Sequence, residues 1–391
     1  MLLLPLAVLL AAPSAPAAFD ALLKEEWEFR LREDPQEASG RGDRRYDDRL
    51  TTVAQADLDR RAAARTAFLE RAAKIDRAAL SPADRIDYDM WRREMEDELL
   101  AYRFGAYRVP ITAEGGFHTE FADLPTRTVF ATVKDYESYV ARLRQWPEVV
   151  GQYVGHMRAG LKSGFTLPRA VLDGFEVQVA THVVDDPEKS VFFAPFTRFP
   201  VGVPEAERKR LSDAGRAAIR EGVVPGYRAF LDFMTKEYVP GARATTGASE
   251  LPDGRAYYAA LVKSFTTLDV TPEQVHETGK AEVARIDAEM RDVMRKTGFT
   301  GDLPEFIAFL RTDPRFYPKT PDELMRYASF LAKRIDGKLP SLFGTLPRLP
   351  YGVEPVPDAI APKYTAGRYV PAAVGSTRAG TYWVNTHNLS S

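Results

Sequence analysis

The chain has 391 residues, 45% hydrophobic and 28% charged, enough for two or three ordinary domains or one large helical one. Its 53 basic and 55 acidic residues are interspersed, and the net charge of -2 with a pI near 6.3 excludes a basic footprint for nucleic acid or anionic lipid. Cysteine is absent, which excludes disulfides, thiolate metal sites, cysteine nucleophiles and lipid attachment through a cysteine of these residues.

Residues 1–18, MLLLPLAVLLAAPSAPAA, form an apolar run followed by small residues and proline, with Ala15-Pro16-Ala17 in the A-x-A form that signal peptidase reads. The run is too short to span a bilayer. It predicts a removable signal peptide and an exported protein, periplasmic or secreted. Helices are predicted over 21–32 and 53–77. Ser81-Pro82-Ala83-Asp84 then supplies a hydroxyl cap, a proline at the first helical position and a carboxylate near the dipole's positive end, opening a helix through IDYDMWRREMEDELLAYRF.

Further helices are predicted over 134–145 and 148–163, separated by Pro147, and over 169–183, 205–237, 254–265 and 303–311. Thr271-Pro272-Glu273-Gln274 and Thr320-Pro321-Asp322-Glu323 repeat the start signal as capping boxes. The helix after Thr271 keeps Val275, Gly279, Val283, Ile286, Met290 and Val293 on one stripe and stops near Thr297-Gly298.

Composition shifts near residue 338. Seven of the 28 prolines lie between Pro340 and Pro371, which reads as extended, turn-broken backbone. Gly380 then leads into TYWVNTHNL, whose β-branched and aromatic residues suit a strand. An edge position is expected for it, with backward pairing to a segment such as KYTAGRYV. The fold class expected is mainly α: a large helical array with a Pro/Gly-rich extended segment and a few short β-strands near the C-terminus. The corresponding divisions are a signal peptide over 1–18, a helical domain over 19–337 and the extended segment with its edge strand over 338–391.

The chemistry-bearing residues are sparse. In VHETGK, residues 275–280, His276 and Glu277 open like a His-Glu-x-x-His zinc helix, but the position of the second imidazole holds Lys280, whose ammonium repels a metal. The five histidines are His118, His156, His182, His276 and His387, no two within four residues of each other, and each reads most simply as a surface or core-edge imidazole. GSTRAG at 375–380 puts its serine one place too early for a nucleophile elbow, and no phosphate-binding glycine loop is present. Catalytic residues and metal ligands read from chemistry alone are therefore none.

Several stretches nevertheless resemble, in order and spacing, the bacterial DUF885 proteins. They are GDRRYDDRL, LSPADRIDYDMWRREMEDEL, DYESYVARLRQWPEVVGQYVGHMRAGLKSGFTLPRAVL, YYAALVKSFTTLDVTPEQVHETGKAEVARIDAEM, FGTLPRLPYGVEPVP and GTYWVNTHNLS. The resemblance implies a large, mainly helical zinc metallopeptidase. It also implies that the zinc motif, a His-Glu pair followed by Pro-Gly-His-His, comes after the Gly-Thr-aromatic-Val-Asn strand, and the sequence in hand ends at Ser391 before it.

On this reading residues 338–391 are an incomplete part of a catalytic domain, and no peptidase activity is expected of the 391 residues alone. No cofactor is expected within them, and zinc is expected in a full-length homologue. The implied partner is a peptide substrate, with no nucleic acid and no membrane after signal removal. An edge strand beside a metal helix would pair with extended substrate, and Tyr382 and Asn385, placed on opposite faces by alternation, are the candidate substrate-binding residues. The other reading is an exported helical protein that binds peptide or another polymer without catalysis.

Overall fold

The computed structural model describes residues 13–113, 115–358, 361, 364–371 and 379–389. Residues 1–12 of the predicted signal peptide lie outside them. The described residues are mainly helical, with three short strands in one sheet near the C-terminus. The chain divides into two compact units, Met1–Thr271 and Pro272–Ser391.

The first unit opens with α1 (Ala15–Glu33), α2 (Gln55–Ala72) and α3 (Pro82–Phe104). The start signal before α3 is realised: Ser81 Oγ accepts the Asp84 amide at 3.1 Å, and Gly105 closes the helix at φ 69°. Phe19 and Leu22 of α1 join Phe68, Tyr88, Trp91 and Met95 in one buried cluster.

The larger core gathers on α5 (Val133–Ser163), which packs against the short α4 (Phe117–Ala122). Pro147 was expected to separate two helices, yet α5 runs through it without a break. Proline inside a helix costs about 3 kcal/mol in lost hydrogen bonding and ring clash. Leu143 and Trp146 before it and Val150 and Val154 after it are all buried on one face. At roughly 1.5–3 kcal/mol per buried apolar side chain, that face outweighs the break. Trp146 stacks on Phe121 of α4 at 3.9 Å with ring planes 3° apart.

A second correction concerns residues 169–183. Gly174 turns left-handed at φ 72° and splits the stretch into a 3-10 turn, Arg169–Val171, and α6 (Phe175–Ala180). The predicted helix over 205–237 is continuous but locally widened. α7 (Glu205–Ala218) passes through a π-helical turn, Ile219–Val223, into α8 (Val224–Phe233), and a second π turn follows at Met234–Tyr238. Pro225 and Pro240 explain both turns. Each lacks an N–H and crowds the carbonyl four residues back, and a bond of i→i−5 type, such as Val224 N–H to Ile219 O, relieves the crowding. The first unit ends with α9 (Gly254–Thr266).

Gly222 lies in the first π turn, where a Cβ would stand 2.5 Å from the Leu143 carbonyl oxygen of α5. Backbone cannot yield as a side chain can. Gly222→Ala is expected to cost about 1–3 kcal/mol of stability, read as a lower urea midpoint with an unchanged slope.

The second unit contains α10 (Pro272–Lys296), α11 (Leu303–Thr312) and α12 (Pro321–Asp336). Thr320 Oγ1 accepts the Glu323 amide at 3.1 Å to start α12, and Gly298, at φ 76°, follows the end of α10. The strands are β1 (Tyr351–Pro355), β2 (Gly367–Val370) and β3 (Gly380–Val384), in the order β1-β3-β2. β3 runs parallel to β1 and antiparallel to β2. The predicted backward pairing with KYTAGRYV is present, since β2 is its second half. The predicted edge position is not: β3 is the centre of the sheet. Thr381 and Val384 are both buried, and they lie on opposite faces of the strand, which a flanked strand accommodates better than an edge.

Candidate functional site

The second unit holds a cavity of about 1020 Å³. One wall is α12, whose Leu324, Tyr327, Ala328, Leu331 and Ile335 follow the three-and-four spacing of a single helical face. The other is one face of the sheet. Val353 pairs with Tyr382 and Tyr369 also pairs with Tyr382, so Tyr369, Tyr382 and the next alternate residue Val384 share that face. Tyr351, two residues before Val353, lies on it too. Its hydroxyl reaches Asp336 Oδ1 at 3.2 Å at the end of α12, and burial, with Asp336 beside it, pushes the phenol pKa above its ordinary value.

Two glycines make room for the tyrosines. A Cβ on Gly380 would stand 2.0 Å from the Tyr369 hydroxyl, and one on Gly367 would stand 3.1 Å from the Tyr382 hydroxyl. Each ring leans diagonally over a glycine of the neighbouring strand, a reach that cross-strand spacing allows.

Tyr382 and Asn385 both line the cavity. Tyr382 is exposed to it. Asn385 lies just past β3, and its amide is occupied: Nδ2 donates to the carbonyls of Ala361 at 2.8 Å and Tyr364 at 3.1 Å, while Oδ1 accepts the His387 amide at 3.0 Å. The Asn385 backbone N–H donates to Ala366 O at 2.8 Å. Asn385 thus clamps the connection before β2 and sets the shape of the cavity's end. Asn385→Ala is expected to speed amide exchange at Tyr364 by at least tenfold, measured by mass spectrometry, because two half-buried carbonyls lose donors worth about 1 kcal/mol each.

The sequence reading missed Tyr327, Tyr351 and Tyr369. For Tyr351 and Tyr369 the signal was the tyrosine content of the Pro-rich stretch, and for Tyr327 the apolar face of α12, but nothing local distinguishes a tyrosine facing a cavity from one filling a core.

The histidines are dispersed. His118 and His156 are buried in the first unit, and His276 and His387 are exposed in the second. Lys280 Nζ holds Glu277 at 3.0 Å, so the His-Glu pair belongs to a solvated helix face. Among the described residues no three His, Asp or Glu side chains are grouped to hold a metal.

Residues 35–391 match a protein family described as bacterial protein of unknown function, DUF885. The chain belongs to the DUF885 family. Two solved structures share its fold. One, named a "putative lipoprotein" from Colwellia psychrerythraea, is 18% identical with a TM-score of 0.79, over 97% of this DUF885 chain and 68% of that one. The other, named a "putative lipoprotein of unknown function" from Shewanella oneidensis, is 17% identical with a TM-score of 0.58, over 96% and 65%. The DUF885 chain thus spans about two thirds of each. No curated protein matches it.

Within this DUF885 chain the stretches that carried the resemblance have structural roles. GDRRYDDRL, residues 42–50, lies along α5, where Arg142 Nε donates to Arg49 O at 2.8 Å and Gln145 Oε1 accepts the Leu50 amide at 2.9 Å. GTYWVN is β3 and its clamp, with Gly380 left bare for the Tyr369 hydroxyl.

Proposed function

We propose that residues 272–391 supply one wall of a peptide-binding groove in an exported DUF885 protein of zinc-peptidase type, whose metal ligands lie outside these 391 residues. The cavity between α12 and the sheet carries this reading. Its tyrosines offer apolar ring faces to side chains and hydroxyls to a peptide backbone, the combination that recognises polypeptide without strict sequence preference. Because β3 is central, main-chain pairing with substrate falls to the outer edges of β1 and β2, where N–H and C=O groups face away from the sheet. Export is supported by the leader-like residues 1–18 and by the lipoprotein names of both structural neighbours.

The test is binding of a fluorescent, apolar, extended decapeptide, followed by anisotropy. Tyr382→Ala and Tyr327→Ala are each expected to weaken binding about tenfold, since loss of one aromatic contact is worth about 1.4 kcal/mol. A glycine-serine peptide of equal length is expected to bind weakly to all variants. Unchanged affinity in both tyrosine variants would refute the groove. With zinc added, mass spectrometry is expected to recover the peptide intact, and cleavage would refute the placement of the metal ligands.

A further inference from the structure

The helix α10 has 25 residues, yet Met294 is its one buried residue. Gly279, Val283, Ile286, Met290 and Val293 recur at steps of four, three, four and three, the a/d alternation of a helix that seats against another helix. This stripe faces water: Val283 is 69% exposed and Val293 55%, with Ile286 and Met290 exposed as well. Covering these apolar side chains removes them from water, so the stripe is a docking surface.

The surrounding charges say what kind of partner fits. Lys280 pairs with Glu277, Arg285 with both Glu282 and Glu289, and Arg291 with Asp287, all within the helix. Both signs alternate and are already matched, so an anionic membrane or nucleic acid gains nothing here. A protein helix with mixed polar flanks does. Both solved neighbours are longer than this chain. The Colwellia protein superposes on 97% of this chain and still has about a third of its length unmatched, as has the Shewanella protein.

We propose that the α10 stripe is the seat of a helix from further DUF885-type polypeptide, the part of the longer neighbours that has no counterpart in these residues. The surface is separate from the tyrosine-lined cavity, so either proposal can fail alone.

The experiment is hydrogen exchange over residues 272–296 of the 391-residue chain and over the superposing helix of the full Colwellia protein. An undocked α10 is expected to exchange at least tenfold faster than its docked equivalent. Equal exchange in the two proteins would overturn the proposal. Val283→Cys, the single thiol of an otherwise cysteine-free chain, adds a second readout by maleimide labelling and light scattering. Labelling at the rate of a free thiol in a monomeric chain is expected. Slow labelling in a dimer would assign the stripe to a second copy and overturn the proposal equally.

Discussion

Arg142→Ala is expected to cost about 2–4 kcal/mol of stability, the largest loss of any single substitution argued for this chain. Arg142 is 2% exposed and sits in the middle of α5. Its guanidinium donates to Arg49 O at 2.8 Å, Pro35 O at 3.0 Å, Ser39 Oγ at 2.7 Å and Tyr46 O at 3.3 Å. All four acceptors are neutral. Burial pushes the guanidinium pKa down, while the carboxylates of Asp47, Asp48 and Asp34 nearby work the other way. Arginine stays charged under such pressure and its planar fork reaches several carbonyls at once. Alanine would remove the guanidinium from Arg49 O and Ser39 Oγ, leave Pro35 O with only the Ser39 hydroxyl and Tyr46 O with only the Arg49 amide, and open a cavity beside Leu143. Arg142→Lys keeps the charge but has a single nitrogen, so an intermediate loss is expected. Urea unfolding followed by tryptophan fluorescence measures both, with Trp146 four residues along the same helix. A loss below about 1 kcal/mol in Arg142→Ala would show that water replaces the fork at little cost.

That cluster marks the boundary of what the sequence made legible. The helix starts at Ser81 and Thr320 were readable because a cap is a local event: hydroxyl, proline and carboxylate within four residues. The stripe on α10 was readable because periodicity is local too. Pro147 misled because its local cost is decided by Trp146, Phe121 and Val150, which meet only in the folded core. The role of Arg142 was equally hidden, since its acceptors lie 93 to 107 residues away in sequence.

The candidate site was legible in part. Strand character singled out TYWVN, and Tyr382 and Asn385 do line one cavity. The strand's place at the centre of the sheet was missed because β1 comes from FGTLPRLPYGVEPVP, whose prolines argue against a strand. Pro355 is tolerated because β1 is an edge strand and Pro355 is its last residue. Tyr351 came with β1, which was read as turn-broken backbone, and Tyr369 came with the KYTAGRYV partner, whose pairing was read but not the face its ring takes.

His118 carries the second large effect, and it appears as acid destabilisation. Its imidazole is fully buried on α4, against Phe117 beside it, Phe175 of α6 and Phe230 of α8. The Tyr227 hydroxyl donates to its backbone carbonyl at 2.7 Å. The ring nitrogens have no well-aligned partner among the described residues. Burial drives the imidazole pKa down from 6.5 to about 4; Gln178 nearby opposes this and His182 adds to it.

Between pH 6.5 and 4 the unfolded chain binds a proton at His118 that the folded chain does not, so stability falls as the pH is lowered through this window. A shift of this size corresponds to about 3 kcal/mol, fully lost below pH 4. His118→Phe removes the titration while keeping an aromatic ring among aromatic rings. Its urea midpoint is expected to decline clearly less than the wild-type midpoint from pH 6.5 to 4.5. His182, also pushed down by burial, contributes in the same direction, and His182→Phe separates its share. Burial works to raise the Asp135 pKa, but the Ala131 and Thr132 amides and Arg44 outweigh it and hold the carboxyl below its ordinary value. Parallel declines in wild type and His118→Phe would mean that the folded chain protonates His118 as readily as the unfolded one.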